Sequence, residues 1–187
     1  EVEGAEDDVS AGETSMKNVK INNQDVVLGI SASGTTPFVL AAIAYAGQQG
    51  AVKIGLACIP KSPLLENVAV AICVQVGQEV VAESTRLKAG TAQKMVLNML
   101  STATMVKLGK VYQNRMVNLQ ASNIKLVRRA EEMVAELGEV SLKTAAELFL
   151  KSGHHVKTAI VMAKLKINSQ EAGKRLKAVD DNLSKIL

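Results

Sequence analysis

Between Ser31 and Thr36 the chain reads S-A-S-G-T-T, which puts four hydroxyl side chains and one glycine within six positions. The run follows an apolar, β-rich segment, "DVVLGIS", and precedes one of helical pattern, "TPFVLAAIAYAGQQG". Ser31, Ser33, Gly34, Thr35 and Thr36 are therefore expected where a strand ends and a helix begins. Backbone N–H groups at such a point are unpaired, and the helix dipole favours an anion. Hydroxyls add neutral donors, and glycine lets the backbone come close. Phosphate fits that description; a plain N-cap with a tight turn is the alternative, although it needs only one hydroxyl.

A second polar cluster, "ESTRLKAGTAQK" at residues 83–94, again precedes a long helical pattern. Ser84, Thr85, Arg86 and Lys88 can complete a sugar-phosphate site, because a charged donor strengthens each hydrogen bond to phosphate. An ordinary polar loop before a helix starting at Thr91 accounts for them equally well.

These clusters need a scaffold. Residues 25–31, 52–59 and 68–76 read as strands, the first two as continuous apolar runs buried on both faces. Residues 36–50 read as a helix, with Pro37 in its first turn and Gly50 as a stop. Strand, helix and strand at this spacing imply a right-handed parallel crossover, so the fold class is α/β, a doubly wound, mostly parallel sheet flanked by helices. From Thr91, "TAQKMVLNMLSTATMVKLGKVY" predicts one long apolar helix with Met95, Met99 and Met105 as core filler, and "NIKLVRRAEEMVAELG" an amphipathic helix ending at Gly138. Ser141 to Leu187 holds three short helical patterns, with Ser141 and Asn168 as N-caps and Glu171 completing a capping box. The division is thus 1–138 and 139–187, the latter a small three-helix module.

Composition narrows the function classes. Of 187 residues 48% are hydrophobic and only 2% aromatic, without Trp, so the core is aliphatic and few rings could stack on bases. The net charge of +4 conceals a gradient, with only acids from Glu1 to Glu13 and basic residues later, mixed with acids as on solvated helix faces. No nucleic-acid partner is expected. Cys58 and Cys73 lie in apolar surroundings without ligand spacing to His154 and His155, which reads as buried free thiols in a reducing compartment and no metal site. The adjacent histidines are expected at the surface. Gly, Ser and Pro interrupt every apolar stretch before membrane-span length, so no membrane partner is expected and the cytoplasm is the default. The start, "EVEGAEDD", lacks Met and reads as a flexible acidic terminus and the remainder of a longer protein.

The segments "EGAEDD", "GISASGTTPFV", "VGQEVVAESTRLKAGTAQKMVLNMLSTATMVKLGKVY" and "KTAIVMAKLKINSQEAGKRL", in this order and spacing, resemble the bacterial N-acetylmuramic acid 6-phosphate etherases. The glucokinase regulatory proteins share the same sugar isomerase (SIS) type of domain. The resemblance covers essentially the whole chain, and "STRLKAGTAQK" is its most diagnostic part. It implies that 1–138 is the C-terminal portion of a phosphosugar-binding SIS domain, that 139–187 is a UBA-like helical module, and that the protein is a homodimer. The implied reaction cleaves the D-lactyl ether of N-acetylmuramic acid 6-phosphate to N-acetylglucosamine 6-phosphate and D-lactate, a step in cell-wall sugar recycling, without metal or organic cofactor.

Elimination followed by hydration requires two carboxyls of different protonation around the sugar ring. The resemblance matches Glu6 to one of them, the base. The other belongs to an upstream segment that this chain does not contain, so the fragment alone is expected to be inactive. Ser33 and Thr36, with Ser31 as a third, match the hydroxyls of the phosphate loop that also holds Gly34 and Thr35; Glu79 and Ser84 to Lys88 match the second signature. The chain departs from the pattern at Thr35, where arginine is common, at Gln78 for proline, at Glu83 for glycine and at Ile59 for asparagine, and "DDNLSKIL" replaces a glycine-phenylalanine-containing ending. Glu83 puts negative charge beside the phosphate site, which opposes binding unless it turns to solvent or pairs with Arg86 or Lys88. These departures motivate a competing reading as a non-catalytic, phosphosugar-binding regulatory protein; an aldose-ketose phosphosugar isomerase on the same scaffold is a third.

Overall fold

A computed structural model of the protein describes residues 4–82 and 84–187. The chain gathers into two compact units, Glu1–Asn98 and Met99–Leu187. The first is built on parallel strands β1 (Val26–Ile30), β2 (Val52–Ala57) and β3 (Val70–Cys73), in the order β1-β2-β3. Helix α2 (Pro37–Gln48) makes the crossover from β1 to β2, as the spacing predicted. The crossover from β2 to β3 has no helix and is plugged by a short 3-10 turn, Pro63–Leu65, whose Leu64 is 1% exposed.

Helix α1 (Val9–Asn18), which no sequence pattern announced, follows the acidic start. Its N-cap is Asp8, whose carboxylate accepts the Ala11 N–H and the Ser10 hydroxyl at 2.8 Å each. Those bonds hold the Asp8 carboxyl below its ordinary range, the Ala11 N–H contributing most. Small residues dock α1 on α2: a Cβ on Gly12 would run into the Phe38 carbonyl and lie 3.2 Å from Ala41 Cβ. Lys17 lies 5.2 Å above the Tyr45 ring. Because backbone proximity makes this contact, "VSAGETSMKN" carries little apolar periodicity, and periodicity is what sequence reading detects.

Helix α3 (Lys88–Lys107) starts before Thr91 and ends before Tyr112. At its end Gly109 turns the chain with φ 64, and Lys110 N–H returns to Met105 O. Val111–Tyr112 then pairs antiparallel with Arg115–Met116 as β4 and β5. Met95, Met99 and Met105 are 58%, 58% and 48% exposed, so the expectation that they fill the core is overturned. Apolar residues run around the whole helix and cannot share one buried face; only Ala89 and Val96 are buried.

The thiols also differ from expectation. Cys73 is exposed and Cys58 half-buried. Cys73 ends β3, an edge strand most of whose residues are exposed.

The second unit packs around α6 (Val156–Leu165), in contact with α4 (Ile124–Gly138), α5 (Leu142–Lys151) and α7 (Ser169–Ala178). Its core joins Ala130 and Val134 of α4, Phe149 of α5, Ile160 and Val161 of α6 and Leu176 of α7. Ser141 and Asn168 cap their helices as predicted, at 3.1 Å to Thr144 N–H and 2.9 Å to Glu171 N–H. The capping box is only half formed, since the Glu171 carboxylate takes Arg175 Nε at 3.1 Å. Buried Lys157 donates to Asp181 O at 2.7 Å and Asp181 Oδ2 at 2.6 Å, tying α6 to the reversal that follows α7. His154 and His155 are exposed, His154 standing edge-on to Phe149 with centroids 5.2 Å apart. No helix among the described residues is long and apolar enough to cross a membrane.

The α1–α2 contact has a direct test. Gly12→Ala forces a methyl against backbone and is expected to lower unfolding free energy by about 1–3 kcal/mol, the usual cost of overpacking, in urea denaturation of the whole protein.

Candidate functional site

The site grows from the end of β1. Ser31 N–H donates to Leu56 O at 3.1 Å and Cys58 N–H to Ala32 O at 2.9 Å, so sheet bonding carries the chain rigidly to Ala32. A tight turn follows. Gly34, at φ 70, donates its N–H to Ser31 O at 3.1 Å and to Ser31 Oγ at 3.0 Å, while its carbonyl takes Leu64 N–H at 3.0 Å. A Cβ on residue 34 would fall 2.5 Å from Ser62 Cβ and closer still to Ser62 Oγ, so both the space and the backbone angle require glycine here.

Above this turn the hydroxyls form a chain: Thr35 Oγ1 to Ser33 Oγ at 2.9 Å, Ser33 Oγ to Ser31 Oγ at 3.2 Å, and Ser31 Oγ to Thr36 Oγ1 at 2.8 Å. None of them caps α2. Thr36 is the N-cap residue but makes no capping bond, and Pro37 has no N–H, so the N–H groups of Phe38 and Val39 receive no side-chain acceptor. The simple N-cap alternative does not describe this loop.

A cavity of about 810 Å³ opens in front of it. Its lining includes Ser31, Ser33, Thr36, Phe38 and Val39 from this loop and helix start, Glu6 from the turn Ala5–Asp7, Ser84, Thr85 and Arg86 from the loop before α3, and Gln93 from α3. Seven of the residues singled out by sequence thus border one space. Gly34 lies behind the loop and Thr35 is exposed outside the lining; Glu79 and Lys88 are also outside it. Glu83 falls outside the described residues.

Glu79 does something the sequence did not reveal. Its carboxylate accepts Lys88 N–H at 2.9 Å and Ala89 N–H at 3.1 Å, capping α3 from the far side of the loop. These backbone bonds, Lys88 first, hold its carboxyl below the usual range. Lys88 Nζ closes the same ring on Gln78 O at 2.8 Å. The two helix starts therefore differ: α3 already has a carboxylate on its N–H groups, whereas α2 has none among the described residues. Helix starts without a cap are the ones whose N–H groups and dipole suit an anion.

A second, more apolar cavity of about 560 Å³ shares Ala32, Ala82 and Thr85 with the first and contains Cys58. Burial, then Cys73 and Glu79, push the Cys58 thiol up, which keeps it protonated and unsuited to nucleophilic attack. Ser62 and Gln93 were not singled out by sequence: Ser62 is an isolated serine that only its three-dimensional neighbourhood marks, and Gln93, although inside "STRLKAGTAQK", carries no charge or hydroxyl to draw notice.

The SIS domain family matches residues 8–103, and the C-terminal lid domain of glucokinase regulatory protein matches residues 113–180. Among curated relatives, the N-acetylmuramic acid 6-phosphate etherase of Lactobacillus acidophilus is 42% identical over 186 residues, 100% of this chain and 62% of the relative. That of Pasteurella multocida is 48% identical over 171 residues, 91% of this chain and 57% of the relative. That of Serratia proteamaculans is 47% identical over 182 residues, 97% of this chain and 61% of the relative. The chain spans about three fifths of the length of these relatives.

The Glu79 cap predicts a pH dependence with a defined sign. A carboxyl held low in the folded state contributes stability above the ordinary glutamate range, and that contribution disappears as pH falls through the folded value. Glu79→Gln is accordingly expected to melt below the parent protein at about pH 7, with the gap closing as pH is lowered past about 4. Melting curves recorded across that range check it; a gap independent of pH would refute the carboxylate cap.

Proposed function

The chain belongs to the SIS-domain family, and we propose that the whole protein is an N-acetylmuramic acid 6-phosphate etherase. One observation carries the reading: the Glu6 carboxyl, the hydroxyl chain before the uncapped start of α2, and Arg86 line a single cavity. The loop Ser31–Thr36 holds the 6-phosphate through its hydroxyls and the N–H groups of α2. Ser84, Thr85 and Arg86 approach from the opposite loop, with Lys88 and Glu79 fixing where that loop joins α3.

The sugar then extends toward Glu6, which removes the proton from C2. The electron pair of that bond forms the C2–C3 alkene as the C3–O bond breaks and D-lactate leaves. Water adds across the alkene, its hydroxyl to C3 and a proton to C2, so the net change is addition of one water to the ether. The leaving oxygen needs an acid. Among the described residues Glu6 is the one carboxyl bordering the cavity; in this reading the proton donor comes from the remainder of the longer protein, and this chain by itself is expected to bind without turnover. A homodimer working on amino-sugar phosphate in the cytoplasm, in cell-wall sugar recycling, is the setting that fits; exposed Met95, Met99 and Leu100 on α3 offer apolar surface for self-association.

The test is D-lactate release from N-acetylmuramic acid 6-phosphate by the whole protein. Glu6→Gln is expected to lower kcat by roughly 10²–10⁴-fold while leaving phosphate binding intact. Arg86→Ala is expected to raise KM several-fold through loss of a charged donor. Normal lactate release by Glu6→Ala would remove the base role from Glu6. Phosphosugar binding without any lactate would favour the regulatory reading, which the lid-domain match at 113–180 makes the natural rival.

A further inference from the structure

Behind the Ser31–Thr36 loop lies a residue that the mechanism does not use. Ser62 is 4% exposed, and among the described residues its Oγ has no hydrogen-bond partner. A buried hydroxyl left unpaired costs stability, and native structures keep few of them. It occupies the place where a Cβ on residue 34 would fall, directly against Gly34. The turn that carries it is already bonded to the loop, since Leu64 N–H donates to Gly34 O at 3.0 Å. A carbonyl oxygen has two lone pairs, so Gly34 O retains room for a second donor.

The loop has reason to move. Its hydroxyl protons are used within the chain Thr35–Ser33–Ser31–Thr36, and Gly34 N–H is shared between the two oxygens of Ser31. A phosphoryl group is a stronger acceptor and claims those protons. The Gly34 peptide sits in the middle of that exchange.

We propose that Ser62 is a positioning residue for the phosphoryl group, its hydroxyl unpaired in the free loop and donating to Gly34 O once the loop closes on the anion. The inference rests on the phosphate-binding reading of this loop and adds a residue that never touches the ligand. Ser62 then contributes to affinity and not to the stability of the free protein.

The experiment compares the whole protein with Ser62→Ala and Ser62→Cys. Each is titrated calorimetrically with inorganic phosphate and assayed with the amino-sugar phosphate, and its melting temperature is recorded without ligand. Removing the unpaired group leaves the free Ser62→Ala protein melting at or above the parent temperature. Its Kd for phosphate rises about five- to tenfold, the worth of one hydrogen bond, and KM rises in proportion with kcat unchanged. Ser62→Cys, with a weak S–H donor, falls between. An unchanged Kd in Ser62→Ala, or a lowered melting temperature in the free protein, overturns the proposal. If the parent protein binds neither phosphate nor phosphosugar, the phosphate reading of the loop fails and takes this role with it; binding by the parent with an unaffected Ser62→Ala removes the Ser62 role alone.

Discussion

The site depends on the peptide of Gly34, clasped on both sides and denied a side chain. Its N–H is tied to Ser31 and its carbonyl to Leu64, while the Ser62 side chain fills the space a Cβ would take. Any other residue would push the loop off the turn that supports it. With the peptide fixed, the hydroxyls on either side converge into one row, and the chain enters α2 in an orientation that leaves the first N–H groups without a cap. The row of hydroxyls is bonded within itself, so each of these polar groups keeps a partner.

Electrostatics then separates two helix starts that look alike in sequence. Each follows a loop rich in hydroxyls. Glu79 supplies the carboxylate for α3, and among the described residues nothing comparable supplies α2. The same dipole argument that makes a helix start attractive to phosphate explains why the occupied one is unavailable.

Much of this was legible beforehand. The three strands, α2 and the caps at Ser141 and Asn168 announce themselves through continuous apolar runs and capping residues, which are local signals. The hydroxyl cluster was likewise visible as an excess over what capping needs. The failures share a cause: they depend on neighbours distant in sequence or on backbone contact. Helix α1 is held by Gly12 against Phe38, α3 begins where a carboxylate nine residues back reaches it, and Met95, Met99 and Met105 belong to a helix apolar on all sides, whose buried face no period could choose. Cys73 was misjudged because its apolar neighbours lie on an edge strand.

The ring closed by Glu79 on Lys88 and Ala89, with Lys88 returning to Gln78, treats the loop between as a closed segment whose ends are fixed independently of its contents. Sequence change within it alters the chemistry offered to the cavity without relocating the helix that follows. Architecture and surface chemistry are thereby separable: Ser84, Thr85 and Arg86 can be exchanged while the start of α3 stays where Glu79 holds it.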